Sequence, residues 1–144
     1  MIAGQSLDLS SEHMEPDAER LQYIHTHKTA DLLTAPLMAA ACSAQGSALF
    51  IETIFENRFR HAAELQRMGA DIRISGRTAL VTGTALHGAR VRSTDLRGGA
   101  ALVIAALAAQ GESVVEDLTH IDRGYEQFDK KLSGLGARIT RAET

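Results

Sequence analysis

Ten consecutive apolar residues, Ala100 to Ala109, leave no polar stripe along that stretch, which predicts a helix enclosed on all sides within the span Thr94 to Gly111. Ten residues cover about 15 Å of helix, half of what a bilayer core requires, and Gln110 and Gly111 end the run. A packed protein core is therefore expected around it, not lipid. Ahead of the run stand Asp95, Arg97 and the pair Gly98-Gly99. A carboxylate at a helix start favours the dipole, and two small residues allow a close approach. The helix entrance thus admits two readings: a seat for an anion, or an ordinary cap beside a solvated arginine.

Around this helix the pattern alternates. Ala48 to Ile54 reads as a strand and Arg60 to Met68 as a helix. Asp71 to Ser75 and Thr78 to Gly83 read as strands about the Gly76-Arg77 turn, with a further strand at Val91 to Ser93. Beyond the central helix, Ser113 to Leu118 predicts a strand, Tyr125 to Leu135 a helix and Arg138 to Arg141 a last strand. The first part of the chain differs in texture. Met1 to Leu9 reads as the tail of a helix, Ser10 to Glu15 as a loop, and Pro16 with Asp17 and Glu19 as a helix start. Leu21, Ile24, Leu32 and Leu33 then recur at helical spacing. The expected organisation is a helical segment over 1–35 followed by an α/β body over 36–144.

That body contains a repeat. L-Q-R-M-G-A-D-I at Leu65 to Ile72 matches L-S-G-L-G-A-R-I at Leu132 to Ile139, an offset of 67 residues. A repeat of this length implies supersecondary units that share one core. Gly69 and Gly136 fall where a helix ends in a left-handed residue. Arg58, Arg97 and Arg123 each fall in a loop or at a helix start, at corresponding corners. Three guanidinium groups on one side of the fold suit a small molecule bearing both carboxylate and phosphate. The competing reading is surface salt bridging with Asp95, Asp122 or Glu56.

Composition narrows the field. With 144 residues, 44% hydrophobic but only 4% aromatic and without Trp, the core must come from Ala, Leu, Ile and Val. A formal charge of -3 supplies no basic stripe for a nucleic-acid partner. Cys42, the one cysteine, lies in an Ala-rich run and reads as a small buried hydrophobe in a reducing compartment. His25 and His27 stand two apart and make a poor metal pair, so no metal or other cofactor is expected. Met1 to Leu9 lacks the basic start and apolar run of a signal peptide, and a cytoplasmic location is expected.

Two resemblances follow from longer motifs. M-I-A-G-Q-S-L-D-L with L-Q-Y-I-H-T-H-K-T-A-D-L-L resembles the middle of a short-chain polyprenyl diphosphate synthase. It implies that Gln5, Lys28 and Thr29 match positions lining a diphosphate site. Both aspartate-rich motifs of that family are absent from this sequence, so prenyl transfer is not expected.

E-T-I-F-E-N-R-F-R-H-A-A-E-L-Q-R-M-G-A-D-I, T-D-L-R-G-G-A-A-L-V-I-A-A-L-A-A-Q-G and H-I-D-R-G-Y-E-Q-F-D-K-K-L-S-G-L-G-A-R-I resemble the C-terminal part of the UDP-N-acetylglucosamine 1-carboxyvinyltransferases. The resemblance runs from about Pro36 to the end. It implies an incomplete lobe of an inside-out α/β barrel, enolpyruvyl transfer from phosphoenolpyruvate to UDP-N-acetylglucosamine, and a role in peptidoglycan synthesis and hence in cell shape and division. By the same resemblance Arg97 and Arg123 match arginines facing phosphoenolpyruvate, Arg58 matches an active-site arginine nearby, and Ile54 with Phe55 matches a segment touching the UDP-sugar. The family's proton-accepting aspartate would fall near Leu32, and Cys42 does not match its loop cysteine. The expectation is a fragment inactive alone, whose uncovered apolar surface favours self-association.

Overall fold

The computed structural model describes residues 18–19, 31–52 and 59–142. The chain divides into two compact units, Met1–Thr34 and Ala35–Thr144. Gln5, Lys28 and Thr29 in the first, and Ile54, Phe55 and Arg58 in the second, lie outside the described residues.

Helix α1 (Asp31–Cys42) runs through Pro36 and leads to strand β1 (Ser47–Ile51). Helix α2 (Arg60–Arg67) follows, then strands β2 (Asp71–Ser75), β3 (Thr78–Thr82) and β4 (Arg90–Arg92). Helix α3 (Leu96–Ala108), strand β5 (Val114–Glu116) and helices α4 (Thr119–Gly124) and α5 (Phe128–Gly134) complete the order. The described residues are mixed α/β and contain no closed barrel.

Two sheets organise the larger unit. In the first, β3 lies between β1 and β2 and is antiparallel to both, with Leu80 opposite Leu49 on one side and Arg73 on the other. Because side chains alternate along a strand, Ile72, Ala79 and Val81 enter the core while Leu49, Ile51 and Leu80 face outward. The β2-β3 turn takes its left-handed residue at Gly76, as the Gly-Arg pair predicts. In the second sheet β4 and β5 are parallel, a pairing that needs a crossover, and α3 is that crossover. Backbone bonds flank the short ladder, from Gly88 N–H to Gln110 O at 2.7 Å and from Ser93 N–H to Glu116 O at 2.9 Å.

The core gathers Met38, Ala39 and Cys42 from α1, Leu65 from α2, Met68 beyond it, and Ala101, Leu102 and Ala105 from α3. Its lining is aliphatic, as the scarcity of aromatic residues requires. Enclosure of α3 is uneven. Gly98 to Val103 are buried, whereas Ile104 and Leu107 are 36% and 42% exposed.

The repeat survives in three dimensions. After α2, Gly69 N–H reaches Gln66 O at 3.0 Å and Ala70 N–H reaches Leu65 O at 3.1 Å. After α5, Gly136 N–H reaches Ser133 O at 2.9 Å and Ala137 N–H reaches Leu132 O at 3.1 Å. Both are Schellman ends, with φ of 89° at Gly69 and 94° at Gly136.

The copies diverge immediately afterwards. Asp71–Ser75 pairs with β3, but Arg138 to Arg141, expected as a strand, is not one, since no described strand lies beside it to share its backbone bonds. The stretch expected as a loop around Arg123 is instead helix α4. It is entered through Asp117 at φ 61°, and a second left-handed residue, Gln127, separates it from α5.

Candidate functional site

The first turn of α3 and the end of α4 meet. A β-carbon on Gly124 would overlap the Leu96 side chain, and one on Gly99 would overlap Ser93 Oγ and stand 3.0 Å from Ile121 Cδ1. Glycines at 99 and 124 are what allow this approach. Arg97 follows Leu96 and Arg123 precedes Gly124 along the chain, so the two arginines are the sequence neighbours of this contact. Of the three arginines expected at corresponding corners, Arg97 and Arg123 lie in described helices. Arg58, the third, lies outside the described residues.

Asp95 caps α3. Its backbone is extended, and its Oδ1 accepts from Arg97 N–H at 2.9 Å and from Gly98 N–H at 2.8 Å. Two of the N–H groups that a helix start leaves open are thereby satisfied. The expected seat for an external anion at these amides is thus taken by the chain's own carboxylate. Nor is the small-residue entrance open: Gly98 and Gly99 are buried, the first beneath His61 and the second beneath Ser93 and Ile121.

The arginine side chains remain. Arg97 is half-buried, with its Nε enclosed by protein atoms. Arg123 is exposed, and its neighbour Asp122 is paired with Arg141. Among the described residues no acid is paired with Arg123. Of the three acids that the sequence offers as alternative partners, Asp95 accepts from the helix backbone, Asp122 is paired with Arg141, and Glu56 lies outside the described residues.

His61 went unnoticed in the sequence. It is buried on α2 against Gly98, and burial pushes its imidazole below the ordinary pKa while the Asp95 carboxylate acts in the opposite sense. Its spacing of four residues from Leu65, on the face that enters the core, is the signal that could have found it. No group of His, Cys, Asp and Glu among the described residues is arranged to hold a metal ion. No helix among them is long and apolar enough to cross a membrane.

A cavity of about 620 Å³ lies beside α3, α4 and α5. Val103, Leu107, Leu118, Ile121 and Phe128 line it together with Arg138 to Arg141. Neither Arg97 nor Arg123 borders it.

Comparison with known proteins adds the following. The family profile described as EPSP synthase (3-phosphoshikimate 1-carboxyvinyltransferase) matches residues 6–132. UDP-N-acetylglucosamine 1-carboxyvinyltransferase 1 of Caldanaerobacter subterraneus subsp. tengcongensis is 46% identical over 134 residues, covering 85% of this chain and 32% of the relative. UDP-N-acetylglucosamine 1-carboxyvinyltransferase 2 of Carboxydothermus hydrogenoformans is 56% identical over 110 residues, covering 76% of this chain and 26% of the relative. The chain thus spans about a quarter to a third of the length of these relatives. Among solved structures, the enolpyruvyl transferase NikO from Streptomyces tendae superposes with a TM-score of 0.68 at 32% identity, over 81% of this chain and 27% of that one. EPSP synthase from Acinetobacter baumannii shares the fold at a TM-score of 0.52 and 20% identity, over 60% of this chain and 22% of that one.

Proposed function

Because this chain belongs to the EPSP synthase family of enolpyruvyl transferases, we propose that its arginine corner is the anion-binding part of a site for phosphoenolpyruvate and UDP-N-acetylglucosamine. The observation that supports this reading is the packing of Leu96 on Gly124, residues that are the chain neighbours of Arg97 and Arg123, with Arg123 unclaimed by any described acid.

The chemistry follows from the charges. In enolpyruvyl transfer the sugar 3-hydroxyl gives up its proton and adds to C2 of phosphoenolpyruvate while C3 takes a proton; C3 then loses a proton as the C2–O bond to phosphate breaks, which restores the C2–C3 double bond and releases phosphate. Positive charge grows at C2, and the carboxylate and phosphate beside it must stay fixed. Guanidinium groups do this with paired hydrogen bonds, and an arrangement set before the reaction costs little reorganisation during it. Arg97 is half-buried at a capped helix start, and Arg123 is exposed. Ile54, Phe55 and Arg58 belong to the same proposal as sugar-side and anion-side contacts. No residue among 31–52 and 59–142 is assigned as the group that takes the hydroxyl proton. The chain by itself is accordingly proposed to bind without turning over, as a cytoplasmic piece of peptidoglycan-synthesising machinery with parts in cell shape and division.

The test is a titration of the 15N-labelled chain with phosphoenolpyruvate and then UDP-N-acetylglucosamine, beside Arg97→Ala and Arg123→Ala. Amide shifts at residues 96–99 and 122–124 that disappear in both variants are expected. A folded chain without such shifts at millimolar ligand would overturn the proposal.

Two companion readings belong here. The division into 1–35 and 36–144 carries with it the polyprenyl-synthase-like motif of the first segment, with Gln5, Lys28 and Thr29 as its diphosphate contacts. Calorimetric heat on adding an allylic diphosphate with magnesium is the expected sign, and its absence removes that reading. Self-association is favoured by the outward Leu49, Ile51 and Leu80 of the first sheet, with Ile104 and Leu107 on α3. Sedimentation should then show mass rising with concentration, and a monomer at all concentrations would exclude it.

A further inference from the structure

Helix α2 turns one ionisable side chain into the core. His61 is 3% exposed, and its Nε2 is buried without a hydrogen-bond partner among the described residues. A buried polar atom in that state asks for an explanation. The surroundings supply one. The point where a Gly98 β-carbon would stand is 3.1 Å from His61 Cβ and 3.0 Å from Asp95 Oδ2, so the histidine and the capping carboxylate flank the same glycine. Asp95 Oδ1 is meanwhile engaged by the N–H groups of Arg97 and Gly98. An imidazolium at this place would compete for that carboxylate, whereas a neutral imidazole leaves it on the helix.

We propose that His61 is a positioning residue of the arginine corner: buried with its Cβ against Gly98, it keeps the Asp95 carboxylate on the first turn of α3, and so fixes where Arg97 projects. The electrostatics agree, since burial opposes the charged ring more strongly than Asp95 favours it. The charged groups to consider are Arg60, Glu64 and Arg67 on α2 itself, Asp95 and Arg97 at α3, Arg90 and Arg92 on β4, and Asp71 and Arg73 on β2. Of these, Asp95 is the one whose charge acts on the ring, and Glu64 is occupied by Arg67 and by the Arg92 N–H. The role in ligand binding rests on the function proposed above; the coupling between His61 and Asp95 does not.

The experiment is an NMR pH titration of the whole chain without ligand, following the His61 ring and the Arg97 and Gly98 amides in the natural sequence, His61→Phe, His61→Gln and Asp95→Asn. The His61 midpoint should lie below 6.5 and fall further in Asp95→Asn. The Arg97 and Gly98 amides should move with that midpoint, and the step should be absent from both His61 variants. Amides that ignore the His61 titration, or a midpoint indifferent to Asp95→Asn, would overturn the proposal. If neither His61 variant folds, the natural chain and Asp95→Asn still decide it. Adding phosphoenolpyruvate at pH 7.5 is a separate arm, in which missing shifts count against the corner as a ligand site while the titration continues to judge the coupling.

Discussion

Gly124 and Leu96 touch so closely that no β-carbon fits between them. One end of α4 is thereby pressed onto the first turn of α3, and the arginine next to each residue is carried along. Gly124→Ala should cost about 1–3 kcal/mol through overpacking. It should also separate Arg97 from Arg123. Urea unfolding measures the first effect, and a weaker phosphoenolpyruvate response in a variant that still folds measures the second.

Asp95 supplies a side-chain cap to the central helix through its bonds to the Arg97 and Gly98 N–H groups. Asp95→Ala should therefore lower stability by about 1 kcal/mol, while Asp95→Asn keeps an acceptor oxygen and loses less. The shift in denaturation midpoint between the two variants separates the hydrogen bond from the charge. Equal losses would mean that the carboxylate acts on the helix through its charge alone.

The two Schellman ends give a matched pair of tests. At Gly136 a β-carbon would meet nothing within 4 Å, so Gly136→Ala should cost only the strain of a left-handed alanine, about 1 kcal/mol. At Gly69 the same carbon would stand 2.9 Å from His87 Cδ2. Gly69→Ala should therefore cost more and should displace the His87 ring. In a His87→Ala background the two substitutions should become equally costly, a double-mutant comparison read by thermal unfolding.

Cys42 and His61 make opposite contributions to stability as pH changes. Burial raises the Cys42 thiol from 9.0 to about 11, so its share is fully present below pH 9 and is lost as pH rises through about 11. Two units correspond to about 2–3 kcal/mol. The natural chain should lose that much more than Cys42→Ala between pH 9 and 11, and the thiol should resist alkylation at pH 8 while the fold holds. For His61 the folded value is depressed, so its share is present above pH 6.5 and is lost as pH falls through the lower folded value. Denaturation midpoints from pH 7 down to 5 should fall in the natural chain and stay flatter in His61→Gln.

Much of this protein was written along the chain because the physics involved is local. An unbroken apolar run needs a core, Asp95 two and three positions before open N–H groups caps them, and Gly-Ala after a helix gives the same end twice, 67 residues apart. Alternation placed β2, β3 and the Gly76 turn.

What lay beyond the sequence was which surfaces meet. Arg138 to Arg141 carries the pattern of a strand, yet a strand exists only where another backbone completes its hydrogen bonds, and none of those described lies beside it. The stretch around Arg123 became a helix once Ile121 found cover and Gly124 settled on Leu96. The glycines at 98 and 99 looked like an opening and proved to be room for His61, Ser93 and Ile121. A small residue announces in sequence that something comes close. Only the packed structure decides whether that something is a ligand or the protein itself, because close approach depends on elements distant along the chain.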